Sequence, residues 1–417
     1  MKLHYLIFFT SITFHIAAQQ KLPVLRANSP ILNIKEGDIL TTEIWRADQN
    51  VMWDEFVTNS FEGVLHLSFI SDIDTLSLKL QSNKTYDFIV LLPENEKAYT
   101  RISTDTNKEP SIPPKKIISY KYLDNRSIQT SDTLSFTIGP DNRIYLKGKI
   151  NQSDTLNFIF DTGANAMVIT KDLIGDKVKM QVNGTTQNIG FDGSKTVSTS
   201  SNNTIEIGNL KWDSVPFISV DYKNKLFDAV LGWNAFERKI IELDYDKKFL
   251  IIHNQLKNIP LGYQKIETKM IGGLPYIYCT LTDNDKISKG WIEFDTGYNY
   301  SILLSQFFDI NNTLENSLIK TGDGTASGSI GIRKKTNEYL LPELKIGNLA
   351  TYQIPISIST IDTENTINND YLGNALLKRF NAILDFKNYL IYLKPNTLLH
   401  TTYYKRIKEK NVRSTHN

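Results

Sequence analysis

Two acids in this 417-residue chain stand in the same local setting. Asp161 closes the apolar run of NFIFDTGANAMVIT and Asp295 that of WIEFDTGYNYSILL, and each is followed by Thr-Gly. A lone buried carboxylate loses its hydration and becomes a neutral acid, which is a poor base. Two carboxylates forced together cannot both ionise, so they share one proton. The charged member can then take a proton from a water held between them, while the protonated one hydrogen-bonds to a carbonyl under attack. That is general acid–base hydrolysis without a covalent intermediate. Thr162 and Thr296 carry hydroxyls able to tie two such loops together. Gly163 and Gly297 permit a tight turn and let backbone N–H groups approach the acids.

Other chemistries lack material. The one cysteine, Cys279, sits in the strand-like PYIYCTL, reads as a small buried hydrophobe and excludes an intrachain disulfide. His4 and His15 fall in the N-terminal leader and His400 and His416 near the C-terminus, which leaves His66 and His253 isolated. No ligand cluster and no Gly-rich phosphate motif of the expected spacing is present, so neither a metal nor an organic cofactor is expected. Net charge is +2, with 47 basic and 45 acidic residues, which offers no general field for nucleic acid.

The elements that position the acids come from an internal repeat of about 130 residues. IEIGNLKWDSVPFISV (205–220) matches LKIGNLATYQIPISIS (344–359), and VLGWNAFERKIIELDYDKKFLII (230–252) matches YLGNALLKRFNAILDFKNYLIYL (371–393). Both copies read as β-rich, with one short amphipathic helix near NAFERK and ALLKRF.

With these residues in view, the chain resembles the pepsin and retropepsin superfamily of aspartic proteases over residues 133–395. In that family an Asp-Thr-Gly loop from each half supplies the catalytic pair, and an apolar-apolar-Gly segment threads beneath it. The first role falls to Asp161 and Asp295, and Leu231-Gly232 and Leu372-Gly373 match the second. The resemblance implies an all-β, bilobal, pseudo-twofold acid-protease barrel fold in a single chain of two retropepsin-like halves. It also implies flaps, for which NIGFDGSKTVS (188–198, with Gly190 and Gly193) and TGDGTASGSIGI (321–332, with Gly324 and Gly328) hold the right places. The expected substrate is an extended peptide or unfolded protein. A monomer suffices, because both acids are on one chain.

Pepsin-type loops continue with Ser or Thr after the glycine, whereas this chain has Ala164 and Tyr298. Fewer hydrogen bonds to the ionised form imply a pH optimum milder than that of pepsin, and a bulky Tyr298 ring could narrow the cleft. The rival expectation is a degenerate protease fold used as a peptide- or glycan-binding surface, and a variant of it pairs each half with another molecule.

Residues 1–18, MKLHYLIFFTSITFHIAA, read as a cleavable signal peptide, so a secreted or periplasmic protein without membrane insertion is expected, beginning near Gln19. Residues 19–104 alternate as strands (VLHLSFI, TLSLKL, YDFIVLL) and predict a small antiparallel β-domain, a separate module rather than a propeptide. Its Asp72 and Asp74 read as turn acids, and Trp45 and Trp53 as packing residues. A Pro-rich linker and lead-in (105–132), the two halves (133–261 and 262–395) and a basic, frayed tail (396–417) complete the expected organisation.

Overall fold

The computed structural model describes residues 22–403 apart from 38, 112–117, 125, 128, 223–225, 285, 306–307, 309–313, 315–316 and 361–369. The expected leader, Pro113, Pro114 and the tail beyond residue 403 lie outside the described residues. The chain divides into two compact units, Met1–Pro114 and Lys115–Asn417. Among the described residues no helix is long and apolar enough to cross a membrane.

In the first unit, alternation along Val64–Ile70 turns Leu67 and Phe69 into the core and His66 and Ser68 outward. Four-stranded sheets of order Val24–Arg26, Thr85–Leu91, Lys97–Ser103, Asp54–Val57 and Ile39–Arg46, Ile31–Glu36, Val64–Ile70, Thr75–Gln81 share one apolar core. Most pairs are antiparallel, as alternation and turns predict. Two are parallel: Val24–Arg26 beside Thr85–Leu91, and Asp54–Val57 beside Lys97–Ser103. Parallel neighbours need long connections, which local turn signals do not reveal. Asp72 and Asp74 accept backbone N–H groups of Asn28, Arg26 and Thr75. Trp45 packs edge-on against Phe56.

The stretch 105–132 is engaged at both ends. Ser111 N–H donates to Val57 O, while Tyr120–Tyr122 adds an edge strand to Leu210–Val220.

The second unit holds two sheets with corresponding strand orders. In the first half the strand order is Ile144–Ile150, Leu156–Asp161, Ala229–Gly232, Met167–Thr170, Leu210–Val220, Gly193–Ile207, Gly184–Gly190. In the second it is Leu274–Asp283, Lys286–Asp295, Tyr371–Gly373, Ile302–Leu304, Leu349–Ser359, Lys334–Ile346, Ile319–Ala326. Ile144–Ile150 also pairs with Gly193–Ile207, and Leu274–Asp283 with Lys334–Ile346, which closes each sheet into a small barrel. The halves share a third, six-stranded sheet, ordered Ser131–Ser135, Phe249–His253, Ile240–Asp244, Phe380–Asp385, Leu390–Pro395, Gln264–Ile266. Its middle pair, Ile240–Asp244 against Phe380–Asp385, is antiparallel and buries Ile241, Leu243, Ala382 and Leu384, so one continuous ladder joins the halves.

The expected helices are single turns, Trp233–Phe236 and Asn374–Leu377, and all of these residues are buried. They are plugs beneath the site and not amphipathic surface helices, because the Leu-Gly strands deliver them directly into the interior. The start of the tail is also held: the buried Arg379 donates to Leu398 O and Thr401 O and lies over the Tyr403 ring.

Candidate active site

Each Asp-Thr-Gly loop begins where a buried strand ends. Phe160 and Phe294 are fully buried and fix the strand ends. Parallel pairing sets Asp161 beside Gly232 and Asp295 beside Gly373, with Phe160 beside Leu231 and Phe294 beside Leu372. The Leu-Gly segments therefore run alongside the acid strands, and their following turns are tied back: Trp233 N–H donates to Ala164 O and Asn374 N–H to Tyr298 O.

The two loops lock together through their threonines. Thr162 N–H donates to Thr296 Oγ1 at 3.0 Å and Thr296 N–H donates to Thr162 Oγ1 at 3.0 Å. Each hydroxyl then donates across the halves, Thr162 to Phe294 O and Thr296 to Phe160 O. Both threonines are wholly buried, so every group in this square is satisfied without water.

That lock brings the Asp161 and Asp295 carboxyls into hydrogen-bond contact. The glycines are needed for closeness: a Cβ at Gly163 would lie 2.6 Å from Asp295 Cγ, and one at Gly297 would meet Asp161. The pair is electrically uneven. Asp295 Oδ1 accepts N–H groups of Gly297 (2.7 Å) and Tyr298 (3.0 Å), whereas among the described residues Asp161 Oδ1 accepts one, that of Gly163 (2.9 Å). Burial, and then the neighbouring Asp295 charge, hold Asp161 well above the usual carboxylate value. Burial raises Asp295 too, but the hydrogen bond from Asp161 and the two loop N–H groups oppose it. Asp295 is thus the better-supported anion and Asp161 the proton holder.

Tyr298 brings no side-chain hydroxyl to the acid, but its backbone N–H supplies a second donor to Asp295 Oδ1. Its ring packs on Tyr300 and Tyr371 and against the Gly373 strand, and becomes a wall of the second half.

The flap stretches form hairpins. Gly184–Gly190 and Gly193–Ile207 pair up to Gly190 opposite Gly193, with Phe191 and Asp192 at the tip. Ile319–Ala326 pairs with Lys334–Ile346, with Gly328 in the connecting loop. Gly324 lies in the strand ladder opposite Thr336, away from the tip. The two hairpins meet. Asp192, buried at 1% exposure, accepts the N–H groups of Ile330 (3.1 Å), Gly331 (2.7 Å) and Ile332 (2.9 Å). Asn188 adds a bond to Ser329 Oγ at 3.0 Å. Gly190 and Gly328 leave the room this clasp requires, since a Cβ on either would crowd Ser329 Oγ or Asp192 Oδ1.

Sequence reasoning missed four residues of this site. Arg143 reaches across the halves, donating to Gly297 O at 2.6 Å while paired with Asp141, and its charge lowers both dyad carboxyls. Asp192 is the clasp, and Tyr222 comes within electrostatic reach of Asp161, Asp192 and Asp295. Glu293, two residues before Asp295, is almost fully buried. Only Glu293 left a legible signal, as a lone acid in an apolar strand whose repeat counterpart is Ile159. Cys279 is fully buried, and burial pushes its thiol up.

Residues 146–235 match the family model described as aspartyl protease, a span that holds Asp161, Thr162, Gly163, Leu231 and Gly232. No curated protein matches the chain. Through that matched segment, and through an all-β architecture that sets a second Asp-Thr-Gly loop against the first, the chain is similar to the aspartyl proteases.

Proposed function

We propose that the chain is an exported aspartic endopeptidase whose catalytic pair is Asp161 and Asp295. The observation that carries this is the direct approach of the half-buried Asp161 and Asp295 carboxyls, each close against the other loop's glycine, with both acids raised above the usual carboxylate range. In the mechanism, a water between the carboxyls attacks the peptide carbonyl carbon. Asp295 takes its proton, and Asp161 donates its own toward the developing oxyanion. Collapse of the tetrahedral adduct breaks the C–N bond, and the proton taken up by Asp295 passes to the leaving amine. Thr162, Thr296, Gly163 and Gly297 hold the geometry, and Leu231-Gly232 and Leu372-Gly373 support the loops. The hairpins, with Gly190, Gly193 and Gly328, cover an extended peptide or unfolded protein bound as an added strand. One chain supplies both acids, so the active species is a monomer. Export rests on residues 1–18 and predicts a mature N-terminus near Gln19 by terminal sequencing.

The test changes Asp161→Asn and Asp295→Asn separately and follows cleavage of an unfolded protein across pH, with and without pepstatin. Either change is expected to lower kcat/KM by roughly 10²- to 10⁴-fold, the usual weight of a general acid or base. A wild-type protein inert at every pH would instead favour a peptide- or glycan-binding surface on a protease fold.

A further inference from the structure

The two halves are alike in topology but not in the side chains that stand beside the dyad. In the first half Ile159 lies two residues before Asp161, on the same face of its strand, beside Val230 on one side and Tyr145 on the other. These three belong to one apolar cluster with Val168, Val220 and Phe227, against which Ala164 of the catalytic loop, Val197 of the flap hairpin and Tyr222 pack. In the second half the same register places Glu293 two residues before Asp295, beside Tyr371 and Tyr276. The Ile159–Val230 pair has become Glu293–Tyr371, while the tyrosine on the other side is kept.

Glu293 is buried among tyrosines. Tyr276 Oη donates to Glu293 Oε2 at 3.1 Å, and that is its side chain's one hydrogen bond among the described residues. The ring of Tyr371 meets that of Tyr298 at 6.1 Å and, edge-on, that of the flap-tip Phe191 at 6.1 Å. A buried carboxyl is thus framed by aromatic rings, and one of them rides on a hairpin that must lift to admit substrate. Burial, and then the charge of Asp295, hold the Glu293 carboxyl well above the usual carboxylate range. Aromatic faces and a carboxylate together suit an ammonium or guanidinium group, whose arrival offsets the cost of ionising the buried acid. An apolar side chain leaves the acid protonated and gains no ion pair from it.

We infer that Glu293, set between Tyr276 and Tyr371, makes the second-half subsite beside the scissile bond select a lysine or arginine side chain, while the Ile159–Val230 subsite takes an apolar one. This rests on the proteolytic reading of the site and names its substrate class: peptides with one basic and one apolar residue flanking the cleaved bond.

The test uses peptides that carry lysine or norleucine at either position flanking one cleavable bond. Wild-type kcat/KM is measured for each, and Kd is measured by fluorescence anisotropy on the full-length Asp161→Asn variant, whose turnover is slow enough for binding to reach equilibrium. Lysine is expected to be preferred by about 10- to 100-fold at one position, the weight of a hydrogen bond to a charged group. Norleucine is expected to be preferred at the other. Glu293→Gln should bring the lysine ratio close to one, and Glu293→Ile, which copies Ile159, should invert it. A purely structural role would scale both peptides equally. Cleavage without a lysine preference, or a preference unchanged in Glu293→Gln, overturns the inference and leaves the proteolytic function standing. Selective binding of lysine peptides without cleavage does the reverse. Peptides neither bound nor cut overturn both.

Discussion

The Arg143 guanidinium is the cation that faces the dyad, and it lowers the proton affinity of both carboxyls against the larger, opposite effect of burial. The competent form carries one proton on the pair. Raising both carboxyls moves both limbs of the pH–rate profile upward, so the optimum should sit above that of the pepsin dyad. A profile peaking below about pH 3 would contradict this. Replacing Arg143 by Gln removes a positive charge, so both limbs should move to still higher pH; kcat/KM against pH for the two proteins reads the shift directly. A change in rate with no displacement of the limbs would show that Arg143 acts only by holding the Gly297 carbonyl.

At the scale of elements, the flap hairpins depend on one carboxylate. Asp192 satisfies three successive N–H groups of the opposite loop, a backbone nest whose natural occupant is an anion. Asp192→Ala leaves those donors unpaired, at a cost of about 1–3 kcal/mol. The amides of Ile330, Gly331 and Ile332 should then exchange with solvent roughly 10-fold faster or more, measured by hydrogen exchange. Unchanged protection would mean that the hairpins are held elsewhere. A second element reports through pH. Asp370, at the head of the Tyr371–Gly373 strand, accepts the Ser305 N–H, yet burial raises its carboxyl to about 7 from 3.8. Its folded-state value lies above its unfolded one, so the unfolded chain gives up this proton first. The stabilisation is complete below about pH 4 and is lost as pH rises through 7. Asp370→Asn should flatten the decline of Tm between those limits; an equal decline in both proteins would rule Asp370 out as its source.

For the whole molecule, the ladder between Ile240–Asp244 and Phe380–Asp385 makes the two halves one body, with each half supplying one carboxyl. Asp161→Asn and Asp295→Asn proteins mixed at equal concentration should therefore recover no activity. Recovery toward about a quarter of the wild-type rate, the share of complementary pairs if halves exchanged freely between chains, would point to two-chain assembly.

What the sequence determined by itself is what repeats or is local. The two Asp-Thr-Gly loops, the Leu-Gly strands and the flap hairpins were legible because duplication doubles a short signal, and because alternation and glycine-rich turns are read over a few residues. The closeness of the two acids was legible only as the consequence of a symmetric fold. The tertiary structure alone decided which acid is the better anion, since that depends on two loop N–H groups against one. It alone brought Arg143 to Gly297 and Asp192 to Ile330–Ile332, contacts between residues more than a hundred positions apart whose charges have no local mark. It also set Glu293 beside Tyr371 and Tyr276, because strand register, which pairs distant segments through backbone hydrogen bonds, determines the side chains that meet in a pocket.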